Sequence, residues 1–126
     1  MEYLLDSSSL IAYFADEKEA GEIGKLIKQS AIPFIVLSEI YYIIWNKKGE
    51  VEADKIYGII KSWNLPILLP DERVMLIAGR LKAMFKLGIA DSYIAALSLD
   101  KNLTLVTKDR DYEILRGQLK LLYLHK

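Results

Sequence analysis

Five short apolar runs punctuate the chain: EYLL at residues 2–5, IPFIVL at 32–37, PILL at 66–69, LTLVT at 103–107 and LKLLYL at 119–124. Runs such as IPFIVL are short, continuous and β-branched, which suits strands covered on both faces. The intervals between them carry helical spacing. A chain that alternates strand and helix in this way predicts a three-layer α/β/α sandwich with a mainly parallel sheet and right-handed crossovers.

The intervals fill in the expected elements. SSSLIAYFA reads as a helix with serines placed to cap it, following a strand that ends at Asp6. Residues 16–30 read as a surface helix with Ala20, Ile23, Leu26 and Ile27 on one face. Ser38 reads as the cap of a helix through EIYYIIWNKK that Gly49 stops, and another helix covers 51–63. The prolines around residues 67–69 suggest a strand at the sheet edge. Between Asp71 and Leu87, Val74, Ile77, Ala78, Leu81, Met84 and Phe85 repeat as one apolar stripe, ended by Gly88. ADSYIAALSLD, apolar nearly all round, predicts a deeply buried helix beginning at Asp91, and a short helix follows Asp109. No internal repeat or low-complexity linker interrupts this order.

With 126 residues, 52% of them apolar, the expectation is one domain spanning 1–126. No apolar run approaches the ~20 residues of a membrane span, and the start lacks a basic leader followed by an apolar stretch, so no membrane role and a cytoplasmic location are expected. Cysteine is absent and His125 is the one histidine, close to the C-terminus. That composition argues against thiol nucleophiles, a Ser-His-Asp triad, a histidine base and a structural zinc site. A metal held here would sit among oxygens, which favours magnesium or manganese. The 17 basic and 17 acidic side chains cancel. No global positive field marks a nonspecific polyanion binder, although a nucleic-acid enzyme needs only local positive charge.

Against that background the informative residues are four acids at the edges of different apolar segments: Asp6, Glu39, Asp91 and Asp109. Carboxylates just beyond strands or in first helical turns meet at one end of an open α/β sheet, where ligands bind. Taken singly, Glu39 and Asp91 read as helix-capping acids. Asp6 resists that reading, because the serines behind it can cap unaided. Asp109 could cap its short helix, with Asp111 substituting for it as a ligand. Brought together, such carboxylates repel one another unless a divalent cation compensates them. Ser7, Ser8 and Ser9 sit in no G-x-S-x-G elbow and read as caps or ligand support. Gly21–Lys25 has the wrong spacing for a phosphate loop and falls within a helical pattern.

Lys108 and Arg110 bracket Asp109 and are the basic residues placed nearest the chemistry. Arg73, Arg80, Lys82 and Lys86 read as a solvated helix face. Tyr13, Phe14, Tyr41, Tyr42 and Trp45 are expected mostly in the core, any exposed members forming a partner groove.

The ordered set LLDSSSLIA, LSEIYY, GIADSYIAA and LVTKDRDY resembles PIN-domain proteins, most of all the small VapC-like ribonuclease toxins of bacterial and archaeal toxin–antitoxin pairs. The resemblance runs through the chain in order. It implies a metal-dependent endoribonuclease in which Asp6, Glu39, Asp91 and Asp109 correspond to an acidic quartet around Mg2+ or Mn2+. Ser7 and Thr107 correspond to hydroxyl positions beside it. It further implies an RNA substrate, a homodimer, and a cognate antitoxin covering a groove and the site. Ser9 stands where the family commonly has an aliphatic residue, and Tyr112 where it commonly has phenylalanine. Two rival classes use the same residues: another metal-dependent phosphoesterase or structure-specific nuclease, and a noncatalytic α/β interaction module whose acids cap helices.

Overall fold

A computed structural model describes residues 1–124 and turns the five apolar runs into one sheet. Its strands are β1 (Tyr3–Leu5), β2 (Ser30–Pro33), β3 (Ile67–Leu68), β4 (Thr104–Thr107) and β5 (Leu121–Tyr123). They lie in the order β3-β2-β1-β4-β5, and every neighbouring pair is parallel. The strand at 67–68 is at the edge, as its flanking prolines suggest. His125 lies outside the described residues.

Six helices fill the crossovers: α1 (Ser7–Phe14), α2 (Ala20–Leu26), α3 (Phe34–Lys48), α4 (Glu50–Ser62), α5 (Glu72–Phe85) and α6 (Ile89–Lys101). The chain steps outward from β1 through β3 and then returns across the sheet to β4, so the right-handed rule for parallel crossovers assigns α1 to α4 to one face and the α5–α6 pair to the other. Both faces of the central strands are thereby covered. Leu4, Leu5, Ala31, Ile32, Leu105 and Val106 are buried, with Leu10, Ile23, Ile60, Ile94 and Leu97 packing from the helices. No described helix is long and apolar enough to cross a membrane.

Local rules account for most boundaries and for the departures. The run expected to be strand through Leu37 leaves the sheet at Pro33, and Phe34–Leu37 form the first turn of α3. A short apolar run cannot by itself distinguish a buried strand from a buried helical turn, and a proline with extended backbone is a good residue to precede a helix. Ser38 is consequently no cap, and Glu39 lies in the second turn of α3, beyond the first-turn positions where acids favour the dipole.

The helix expected over 16–30 is shorter. Asp16 adopts a positive φ of 53°, α2 begins only at Ala20, and a 3₁₀ turn (Ile27–Gln29) ends the segment. Its apolar face survives, with Ile23 and Ile27 buried. Gly88 does not end α5: Lys86 does, in the left-handed conformation, and Gly88 is the residue before α6. That helix therefore starts at Ile89 and carries Asp91 in its first turn. Met84, at the margin of the α5 stripe, is 58% exposed.

Leu105, in the middle of the second central strand, is fully buried, whereas Val51 on α4 is 84% exposed. Leu105→Ala should cost about 2–5 kcal/mol, the range for emptying a packed core site. Val51→Ala should stay within about 0.5 kcal/mol. Urea denaturation of the two variants measures both, and equal losses would contradict the burial described.

Candidate active site

The sheet reverses its direction of growth between β1 and β4, where an open parallel sheet leaves a crevice beyond its strand ends. The register pairs Leu5 with Val106. The residues next in line are Asp6 and Thr107, so a carboxylate and a hydroxyl are delivered side by side at the mouth of that crevice.

Asp6 is 2% exposed, and both of its oxygens are engaged. Oδ1 accepts from the Ser8 hydroxyl at 2.8 Å and from the Ser9 N–H at 2.9 Å, while Oδ2 accepts from the Thr107 hydroxyl. The same two hydroxyls serve the loop after β4: Ser8 Oγ accepts from the Lys108 N–H and Thr107 Oγ1 from the Asp109 N–H, each at 2.9 Å. Asp6 therefore does cap α1, contrary to the expectation that the serines suffice. It also ties that helix to β4. Burial, opposed by these hydrogen bonds, pushes its pKa from the ordinary 3.8 up to about 6.

The other acids gather above it. One oxygen each of Asp91, Asp109 and Asp111 lie within 4.8 Å of one another. Asp109 Oδ1 accepts from the Asp111 N–H at 2.9 Å and so starts the 3₁₀ helix Arg110–Leu115. Asp91 Oδ1 accepts from the buried Tyr112 hydroxyl at 3.1 Å. Glu39 lies outside that trio of oxygens. Burial raises its pKa, the Ser7 hydroxyl relieves it in part, and the charges of Asp91, Asp6 and Asp109 raise it further. Burial likewise raises Asp91, with Tyr112 opposing and Asp109 and Asp111 adding to the shift.

All seven residues singled out in the sequence, the quartet with Ser7, Thr107 and Asp111, thus belong to one neighbourhood. Ser8 and Ser9 support Asp6, as the reading of the serine run as caps or ligand support implies. Tyr112, whose sequence signal is only a departure from the phenylalanine common in the family, is a further contributor.

The two basic residues that bracket Asp109 engage partners outside the acidic cluster. Lys108 turns away to Glu17 and Glu19, at 2.6 and 3.2 Å, and Arg110 sits over the Tyr123 ring, 3.5 Å from Glu113. Arg73 is exposed, as expected of a solvated helix face, and pairs there with Asp100 at 2.9 Å. The aromatic expectation needs revision as well. Tyr42 and Trp45 are 54% and 43% exposed, and Tyr13 and Phe14 are only partly buried, packing on Trp63.

This donor set fits a hard divalent cation. Every candidate ligand is a carboxylate oxygen, and Glu39 Oε1 is buried without a hydrogen-bond partner among the described residues. An orphaned buried carboxylate oxygen beside three other acids is costly unless a positive charge joins it.

An all-parallel sheet carrying clustered carboxylates at its switch point defines a class of α/β proteins with an acidic, oxygen-rich site. The particular family follows from the sequence as a whole: the model of the PIN domain matches residues 3–117, and the chain belongs to that family. Among solved structures it is similar to VapBC2 from Rickettsia felis bound to a DNA fragment from its promoter, with a TM-score of 0.80, 23% identity, and 99% of this chain and 100% of that one covered. DNA-bound VapBC from Salmonella typhimurium gives 0.80 at 19% identity, covering 98% of each chain. VapBC-1 from nontypeable Haemophilus influenzae gives 0.77 at 19% identity, again covering 98% of each. Identities this low establish the shared fold. A search of curated proteins finds no match.

The raised pKa of Asp6 makes the metal-free protein pH-sensitive in a definite sense. Below the ordinary value of 3.8 the carboxyl is protonated in both folded and unfolded chains, so burial costs it no charge. As pH rises from there to about 6 the unfolded chain gives up its proton while the buried carboxyl keeps it, so stability is lost across that interval and levels off above it. In chelator, Asp6→Asn should therefore gain on the parent by roughly 2–3 kcal/mol as pH is raised from about 4 to about 7. Denaturation of both proteins across that range checks the slope, which should be absent if Asp6 ionises freely in the fold.

Proposed function

We propose that this PIN-domain protein is a divalent-metal-dependent endoribonuclease and the toxin member of a toxin–antitoxin pair. The observation that carries the reading is the convergence of Asp6, Glu39, Asp91 and Asp109 from four separate segments, with a buried Glu39 oxygen left unpartnered. Helix capping explains Asp6 and Asp109 in part. It does not explain Glu39, which is past the first turn of α3.

Asp6, Glu39, Asp91 and Asp109 would hold Mg2+ or Mn2+, with the exposed Asp111 beside Asp91 and Asp109. Such an ion, once bound, supplies activation of water and charge stabilisation at a scissile phosphate. The chain's own residues do the positioning. Asp6, fixed by Ser8, Ser9 and Thr107, orders the floor of the site and keeps α1 against β4. Ser7 steadies Glu39, and the Asp111 N–H steadies Asp109. The exposed side of Asp111 leaves the cluster open to a polymer, and hydrolysis here needs neither histidine nor cysteine.

Partner and assembly follow the same reading. An apolar groove lined by Ile11, Phe14, Ile43, Ile44 and Ile56, with Lys47 and Lys48 at its rim, runs between α1, α3 and α4. It suits an amphipathic antitoxin segment. The exposed Leu69, Met75 and Leu76 offer apolar surface for a second copy. The similar chains include one described as a toxin–antitoxin complex, from Klebsiella pneumoniae, and a cytoplasmic setting suits an RNA target.

Purified protein should cleave single-stranded RNA with Mg2+ or Mn2+ and not in chelator. Asp91→Asn or Glu39→Gln should lower that rate by more than about 100-fold, beyond the loss typical of residues that only support metal ligands. Circular dichroism of the variants should match the parent. Folded variants that cut RNA at the parental rate would remove the assigned roles.

Toxicity is checked separately. Induced expression without an antitoxin should arrest bacterial growth, and Asp91→Asn should not. Normal growth with abundant soluble parent protein would leave a nuclease with another role.

A further inference from the structure

Tyr112 is 1% exposed and is the largest fully buried side chain in the described protein, yet its one polar atom ends at the acidic cluster. Its hydroxyl donates to Asp91 Oδ1 at 3.1 Å, and it lies close enough to Asp6 and Asp109 to feel their charges. The ring cannot drift. Asp109 starts the 3₁₀ helix that carries it, and Leu115 of the same helix is also fully buried.

We propose that Tyr112 is a positioning residue that fixes the Asp91 carboxylate for cation capture, an inference that rests on the metal-dependent reading above. Asp91 is only partly buried and extends from the first turn of α6, where the side chain has rotamers to choose from. A single rigid donor on Oδ1 selects one of them and holds the carboxylate beside the oxygens of Asp109 and Asp111. The donor carries no formal charge. A lysine or arginine in its place would satisfy Asp91 equally well but repel the ion, whereas a neutral phenol orients the ligand and leaves its negative charge in place.

Tyr112→Phe deletes the oxygen and keeps the ring, so packing is retained. The Mn2+ dissociation constant, measured by titration calorimetry on parent and variant, should rise about tenfold. The melting temperature of the metal-free variant should stay within a few degrees of the parent. RNA cleavage should need correspondingly more Mn2+ for half-activation and reach a maximal rate within about twofold of the parent. An unchanged dissociation constant overturns the proposal. A lower melting temperature and maximal rate with unchanged Mn2+ affinity overturns it too, and makes Tyr112 a packing residue. A parent protein that binds no Mn2+ at all refutes the metal-dependent reading itself, an outcome distinct from a parent that binds and a variant that binds equally well.

Discussion

The parallel register of β1 on β4 is the constraint from which the site descends. Pairing Leu5 with Val106 delivers Asp6 and Thr107 together, and the hydroxyls of Ser8 and Thr107 then join the two chain segments. Each hydroxyl accepts one backbone N–H from the loop after β4 and donates its own proton to Asp6. The carboxylate thus satisfies a helix start and, through two hydroxyls, a strand end. A slip of one residue would part Asp6 from Thr107 and undo the hydrogen bond between them, so the pairing of the two strands also determines where the acids lie.

That arrangement concentrates negative charge where burial disfavours it. Asp6, Glu39 and Asp91 all have raised pKa values, with burial the leading cause in each. For Glu39 and Asp91 the neighbouring carboxylates add to it. Hydrogen bonds offset part of the cost, and they are spent unevenly: Asp6 has donors on both oxygens, while Glu39 Oε1 has none among the described residues. The fold therefore holds an electrostatic deficit at one particular place. Deficits of this kind are tolerated at sites built for a ligand, because a single cation adjacent to several carboxylates reverses the sign of their mutual interaction.

The architecture was legible because it rests on period and run length. Five short apolar runs separated by helical spacing do specify a parallel sheet, and the prolines beside residues 67–68 do mark an edge. The start of α3 was not legible, since IPFIVL satisfies strand and buried helix alike and only the tertiary setting of Pro33 decides between them. The convergence of the acids could be read from their positions relative to strand ends. Their support could not. Which of three consecutive serines faces Asp6 depends on the rotation of α1, and the partner of the Tyr112 hydroxyl lies 21 residues away on another element.

The basic residues carry the consequence furthest. Lys108 and Arg110 adjoin Asp109 in sequence, yet one is drawn to Glu17 and Glu19 and the other to Tyr123 and Glu113. Among the described residues no lysine or arginine forms an ion pair with Asp6, Glu39, Asp91, Asp109 or Asp111. Had either cation folded into the cluster, it would have neutralised the acids and stabilised the metal-free protein at the expense of ion binding. Their diversion keeps the cluster acidic, and an acidic cluster repels a phosphate. On the proposed reading, cation and nucleic acid therefore bind with positive coupling: the cation turns a repulsive surface into an attractive one, and a phosphate seated there strengthens the hold on the cation by the same free energy. Formal neutrality of the whole chain is then compatible with work on a polyanion, because the positive charge that meets the phosphate arrives with the ion.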